Sequence, residues 1–258
     1  MFSFTPKPLS PNLSRRFCAP EGQRIYAIGD IHGRADLLKK LHGMILLDAS
    51  VSRPLDNVVV YMGDYIDRGP FVRDTLDHVL HGPPDKFTIH RLRGNHEQIF
   101  LDFLHDTSVL PAWLELGGLW TLTSYGVYPG IAPLSPQRCE QLRNDLLAAM
   151  PDEHLSLLRL LSLQVQLGDY LFVHAGIDPK RPIERQTPDD LLWLRGGFKE
   201  VSGDLDFMVV HGHTVEEQPT VRFCHLGIDT GAYATGILTC AVFEEDRIRF
   251  LNTADLHR

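Results

Sequence analysis

Three short polar motifs, each set directly behind an apolar run, constrain the fold of this chain more than anything else in it. They are Gly29-Asp30-Ile31-His32-Gly33, Gly63-Asp64-Tyr65-Ile66-Asp67-Arg68-Gly69 and Gly94-Asn95-His96-Glu97. The runs before them, residues 24–28, 58–62 and 87–92, read as strands, the second fully buried because no polar residue interrupts it. Between them lie helical patterns. Leu37, Leu38, Leu41, Ile45 and Leu46 share one helix face with Asp36 as the expected cap, and a second helix spans about 72–80, closed by Gly82-Pro83-Pro84. A third helix is expected over about 97–104. The order is βαβαβ, and each motif falls in a strand-to-helix loop, where an α/β sheet places its functional groups.

Residues 111–163 change character. They read as mostly helical, with Leu142, Leu146, Leu147, Leu155, Leu158 and Leu161 as core positions, and are expected to form an insertion that caps the site or closes one side of the domain. From 164 onward the pattern is β: residues 163–167 and 170–173 flank a Gly168-Asp169 hairpin turn, and 207–210, 221–228, 236–243 and 247–251 supply further strands. Residues 178–190, with three prolines, read as a long surface loop. Four prolines (Pro6, Pro8, Pro11, Pro20) make residues 1–22 an expected surface or disordered tail, and 23–258 one domain.

Bulk properties exclude several classes. A chain of 258 residues with 43% hydrophobic and 22% charged residues is long enough for one large core. A net charge of −8 argues against an extended nucleic-acid surface, yet allows a nucleotide substrate if a metal centre supplies local positive charge. Cys18, Cys139, Cys224 and Cys240 are far apart without a C-x-x-C pair, which suits a reducing cytoplasm and buried thiols rather than a disulfide framework. No run approaches the roughly 18 apolar residues of a membrane span, and the N-terminus has no continuous apolar h-region of a secretory signal. The phosphate-loop, dinucleotide and G-x-S-x-G signatures are absent, and Phe100 stands where a zincin needs its second His.

What the motifs carry is ligand chemistry. Asp30 and His32 lie two apart, so an extended backbone puts both side chains on one face. Asp64 has two oxygens and could bridge two ions, and Asn95 offers a neutral carbonyl oxygen. Val173-His174-Ala175 and Gly212-His213-Thr214 add imidazoles, again behind apolar runs. A lone Asp behind a strand is usually a turn former. Five ligand-rich signatures in order, all at strand ends, instead imply sites for divalent cations.

The series Gly-Asp-x-His-Gly, Gly-Asp-x-x-Asp-Arg-Gly, Gly-Asn-His-Glu, His-Ala, Gly-His-Thr resembles the calcineurin-like metallophosphoesterases. Asp67-Arg68-Gly69 and Glu97 make it similar to their phosphoprotein phosphatase branch in its small bacterial and phage form. Trp113-Leu114 with Gly117-Gly118, and Ile228-Asp229-Thr230-Gly231-Ala232, carry the same likeness over roughly residues 24–243. The resemblance implies an αββα sandwich of two mixed sheets flanked by helices. It implies two divalent ions, manganese being expected although Fe, Zn or Mg suit the same donors. Asp30, His32 and Asp64 would hold the first ion, and Asp64, Asn95, His174 and His213 the second. Val215 departs from other branches, where a further ligand stands, and His211 is expected to be a supporting or packing residue.

By the same resemblance a metal-bridging hydroxide attacks phosphorus in line, with His96 as general acid oriented by Asp67, and Arg68 and Arg195 as phosphate clamps. Gly196-Gly197-Phe198 departs from the pattern expected behind Arg195. Arg93 is weighed between a phosphate contact and simple exposure. The implied activity is hydrolysis of phosphoserine and phosphothreonine, and also phosphotyrosine, in proteins or small phosphoesters. The alternative is a phosphoanhydride substrate, diadenosine tetraphosphate or a nucleotide-capped RNA end. Asp67 favours the first, because the symmetrical tetraphosphatases usually lack an Asp there. A catalytically dead binding module is a remote third reading, since all six ligands, His96 and Arg68 are present.

Overall fold

The computed structural model describes residues 17–83, 86–195, 205–222 and 224–254. The first half is the expected alternation: β1 (Gln23–Ile28), α1 (Ala35–Val51), β2 (Asp56–Tyr61), α2 (Val72–His81), β3 (Thr88–Arg91) and α3 (Asn95–His105). Four further helices follow, α4 (Leu110–Glu115), α5 (Gly118–Ser124), α6 (Pro136–Ala149) and α7 (Asp152–Arg159). The hairpin β4 (Gln164–Leu167) and β5 (Tyr170–Val173), α8 (Pro188–Trp193), β6 (Met208–His211), β7 (Thr220–Arg222), β8 (His225–Gly227), α9 (Ala232–Thr235), β9 (Thr239–Glu244) and β10 (Arg247–Asn252) complete the order.

The strands form two five-stranded mixed sheets, ordered β10-β9-β1-β2-β3 and β4-β5-β6-β8-β7. In each, three neighbouring strands run parallel: β1, β2 and β3 in one, β5, β6 and β8 in the other. Strand alternation explains the layers. Ile25 and Ala27 of β1, Val58 and Val60 of β2, and Ala241 and Phe243 of β9 meet Tyr170, Phe172, Met208 and Val210 of the second sheet in a core between the sheets. The intervening Tyr26, Ile28, Val59, Tyr61 and Val242 face outward into a second core built with α1 to α7. Leu171, Val173 and Val209 point the other way from the second sheet, against Leu191 of α8. The result is two mixed sheets flanked by helices, as the resemblance implies.

Several sequence expectations change. Residue 221–228 is not one strand, because the chain reverses within it to make the antiparallel pair β7 and β8. The proline-rich stretch 178–190 is not all loop: Thr187 caps α8 with the Asp190 side chain reaching back to its N–H, and Pro188 fits the first helical turn. Asp36 does not cap α1; Arg34 stands at that position and Asp36, inside the first turn, pairs with it. The expected tail of residues 1–22 does not extend to 22. From Phe17 the chain is docked, with Tyr170 Oη donating to Phe17 O and Asp169 N to Cys18 O, while residues 1–16 lie outside the described set. Phe17 and Ala19 are buried there in the core between the sheets. Cys139, Cys224 and Cys240 are buried and unbridged as expected, whereas Cys18, on the docked N-terminal stretch, is exposed.

Candidate metal centre

The parallel strands of both sheets end on the same side, and their C-terminal loops interlock. Ile31 N and His32 N both donate to Asp64 O, Gly33 N donates to Tyr65 O, and Gly212 N donates to His174 O. Glu97, quoted in a motif without a role, holds this frame: its carboxylate accepts from the backbone N–H groups of Gly94, Asp64, Tyr65 and Ile66 at 2.7–3.2 Å. The loops are also bent tightly. His32, Asp64, Asp67, Arg68 and His213 have φ between 46° and 68°, and Glu245 in the β9–β10 turn is the remaining non-glycine residue of this kind among those described. Left-handed backbone on such side chains is sustained only by its surroundings, and it clusters at functional sites.

Asp64 is the hub. Its oxygens lie 3.4 Å from His32 Nε2 and 3.5 Å from His174 Nε2, and two three-residue groups with metal-ligand spacing share it: His32, Asp64 and His96; Asp64, His174 and His213. Asn95 Oδ1 lies 3.0 Å from both His174 Nε2 and His213 Nδ1. Burial alone would raise the Asp64 carboxyl, but the imidazoles of His174, His96 and His32 outweigh it and hold it well below the usual range. His32 and His213 are pushed by burial to about 3, so both imidazoles are neutral and each keeps one unprotonated ring nitrogen. In His32 and His174 the Nδ1 atoms lie 2.9 Å from the carbonyls of Ile66 and Met62, which fixes the proton there and leaves Nε2 for a ligand.

Asp30 stands outside both groups. Its Oδ2 accepts from His213 N, its Oδ1 is buried without a partner, and a side chain on Gly212 would strike that oxygen. Asp229, known from the sequence only for its likeness, acts on it through its charge, and burial raises its own carboxyl to about 6. Burial and the charges of Asp229 and Asp64 raise Asp30 well above the usual range. Three buried carboxylates so close together, with an orphaned oxygen and neutral imidazoles beside them, fit bound cations.

His96 projects into the same space. Its Nδ1 is 2.7 Å from Asp67 Oδ2 and its Nε2 is buried without a partner. Burial opposes the imidazolium, but the charges of Asp64 and Asp67 and the Asp67 hydrogen bond prevail and raise its pKa. Asp67 is itself held by residues that the sequence reading gave no role in the site. Trp113 Nε1 donates to both its oxygens at 3.2 and 2.9 Å, and Thr121 Oγ1 donates to Oδ1 at 2.5 Å. The helical insertion thus reaches the site through α4 and α5.

Arg68 lies 3.1 Å from His32 Nε2 through Nη1, with its guanidinium carbon 4.9 Å from the centre of the Tyr233 ring. Arg195 is exposed and reaches the site only through a long contact, Nε to His213 Nε2 at 3.4 Å; Gly196-Gly197-Phe198 lie outside the described residues. Arg93 is turned away, donating to Gln98 Oε1 and Arg159 O. His211 sits half-buried on β6 with Nδ1 at 3.1 Å from Gly212 O and is in neither group.

Solved structures share this architecture. One is provisionally named a diadenosine tetraphosphatase (18% identity, covering 92% of this chain and 98% of that one, TM-score 0.57). Another is the cold-active protein-tyrosine phosphatase of the psychrophile Shewanella sp. (19% identity, 88% and 77%, TM-score 0.56), and a point mutant of a cold-active protein tyrosine phosphatase gives 18% identity, 95% and 82%, TM-score 0.62. At such identities the likeness is one of fold. No curated protein matches the sequence significantly. The calcineurin-like phosphoesterase family, which uses a binuclear metal centre, matches residues 23–233. Because that match runs from the first strand through every side chain of the cluster, the chain belongs to the calcineurin-like phosphoesterase family.

Proposed function

We propose that the chain is a two-metal phosphomonoesterase that acts on phosphoserine and phosphothreonine, and also on phosphotyrosine, in proteins. The observation that carries this reading is Asp64, shared by two ligand groups, with the His96–Asp67 pair beside it. When bound, two divalent ions, manganese first, supply an activated water and neutralise charge on the phosphoryl oxygens. Asp30, His32 and Asp64 hold one ion; Asp64, Asn95, His174 and His213 hold the other.

Proximity alone would put His96 in the first group in place of Asp30. Asp30 Oδ1 and His96 Nε2 are both buried without a partner, but His96 is held through Nδ1 by Asp67, and the surrounding carboxylates favour its protonated form. Asp30 is therefore the ligand and His96 the acid. Asp67 fixes the His96 ring, and His96 gives its proton to the departing oxygen. Arg68, and Arg195 from the rim, orient the phosphoryl group through their planar donors.

A built-in acid also bears on the substrate. The alkoxide of serine or threonine is a poor leaving group and needs a proton, whereas the phosphate leaving from an anhydride does not. The test is kcat/KM on metal-stripped, manganese-reloaded protein, comparing a phosphothreonine peptide with diadenosine tetraphosphate. Preference for the peptide is expected, with His96→Ala losing about 10²- to 10⁴-fold on it. A large preference for the dinucleotide would overturn the substrate assignment. Metal content without turnover of either would favour a binding module.

A further inference from the structure

One aromatic side chain touches the site without any part in metal binding or proton transfer. Tyr233 is 39% exposed, its ring meets the His32 ring edge-on at 5.4 Å, and the Arg68 guanidinium lies over it. Among the described residues no other exposed aromatic makes a ring contact with the cluster.

Its position is set by the backbone rather than by its own packing. The single turn of α9 starts and ends at left-handed glycines, Gly231 (φ 66°) and Gly236 (φ 72°). Asp229 Oδ1 accepts from Gly231 N at 2.8 Å, Thr235 Oγ1 donates to Thr230 O at 2.9 Å, and Arg34 Nη1 donates to Ala232 O at 3.0 Å. Thr230 Oγ1 donates to Ile237 O at 2.9 Å, closing the far side. The braced turn thus presents a partly exposed ring beside the candidate phosphate arginine.

We propose that Tyr233 is a specificity-determining residue whose ring receives the leaving group of an aryl phosphomonoester, the ester class of phosphotyrosine. The inference rests on the phosphomonoesterase reading above. In an aryl ester a single oxygen separates the ring from phosphorus. With the Arg68 guanidinium 4.9 Å from the Tyr233 ring centre, a phosphoryl group held at Arg68 can place that ring within the 4.5–7 Å over which aromatic pairs attract. A serine ester presents no π face, and a nucleobase stands a sugar further away. The simpler role for Tyr233 is to seat Arg68 by the cation–π contact, which serves every substrate equally. The two roles therefore differ in their dependence on the leaving group.

The experiment compares the native protein with Tyr233→Leu and Tyr233→Phe on two peptides of one sequence, carrying phosphotyrosine or phosphoserine. Phenylphosphonate and methylphosphonate serve as competitive inhibitors of the same proteins. For Tyr233→Leu, kcat/KM on the phosphotyrosine peptide is expected to fall roughly 2- to 12-fold more than on the phosphoserine peptide. The phenylphosphonate Ki should rise by a similar ratio relative to methylphosphonate, and Tyr233→Phe should retain the native preference. Equal losses on both peptides with an unchanged inhibitor ratio would overturn the proposal and leave Tyr233 as a seat for Arg68. Failure of the native protein to hydrolyse either peptide would overturn the phosphomonoesterase reading itself, and is told apart because it needs no variant.

Discussion

At the scale of single residues, the site depends on hydrogen bonds that are distant in sequence. Asp67 orients His96, and Trp113 and Thr121 orient Asp67 from 46 and 54 residues away. Trp113→Phe or Thr121→Val would leave a buried carboxylate short of a donor, at about 1–3 kcal/mol of stability. Each should also blunt proton donation. We expect kcat on an alkyl phosphate such as a phosphoserine peptide to fall roughly 10- to 100-fold. The loss on p-nitrophenyl phosphate, whose leaving group needs no acid, should stay within about threefold. A loss independent of the leaving group would show that these side chains support only the fold. The ligand-type residues were legible in the sequence because each motif pairs a chemically distinctive side chain with a strand end. Trp113, Thr121 and Tyr233 carry no such mark: an indole, a hydroxyl or a phenol is ordinary until the fold places it beside Asp67 or Arg68. The charge partner Asp229 was visible as part of a likeness only, since its link to Asp30 crosses 199 residues of chain.

Among the elements, period and punctuation separated what could be foreseen from what could not. The buried strands β1, β2, β5 and β9 announce themselves by continuous apolar runs, and Gly168-Asp169 marks the hairpin between β4 and β5. The three-residue strands β7 and β8 are shorter than any reliable period, so their apolar residues merged into one longer strand, and the one-turn α9 left no signal at all. One contact between elements gives a pH prediction. His42 on α1 is buried, and its Nε2 lies 2.8 Å from the hydroxyl of Tyr61 on β2. Burial, helped by His78, lowers its pKa to about 4, below the ordinary value of about 6.5 expected in the unfolded chain. A lowered folded-state pKa means stability that is fully present above pH 6.5 and is lost as the pH falls toward 4. By pH 5 the loss from this group alone is about 2 kcal/mol. His42→Gln keeps an acceptor for Tyr61 but cannot titrate. The difference in urea-unfolding free energy between variant and native protein should therefore shift by about that amount in the variant's favour between pH 7.5 and pH 5. A constant difference across that range would rule the mechanism out.

For the whole molecule, the two sheets deliver their ligands from opposite halves of the chain to one edge: Asp30, Asp64 and Asn95 behind β1, β2 and β3, His174 and His213 behind β5 and β6. The cluster is thus where the halves are joined, and it is also where carboxylates are buried with their charges close together. Cations bound there would tie the sheets and remove that repulsion at once, so metal affinity should appear directly as folding stability. At a manganese concentration about 100 times Kd the gain is about 2.7 kcal/mol. For a chain of this size that is a rise in Tm of roughly 5–10 °C. Chelator-treated protein should lose it, and Asp64→Asn, which weakens both ligand groups, should show little response to added metal. The Asp67→Asn variant should keep most of the response, because Asp67 serves His96 and not the ions. If manganese, iron, zinc and magnesium all leave the native Tm unmoved, the two-ion reading of this edge fails, whatever the protein hydrolyses. If Asp67→Asn loses the response along with Asp64→Asn, the division of the cluster into ligands and acid is wrong, and His96 belongs with the ligands.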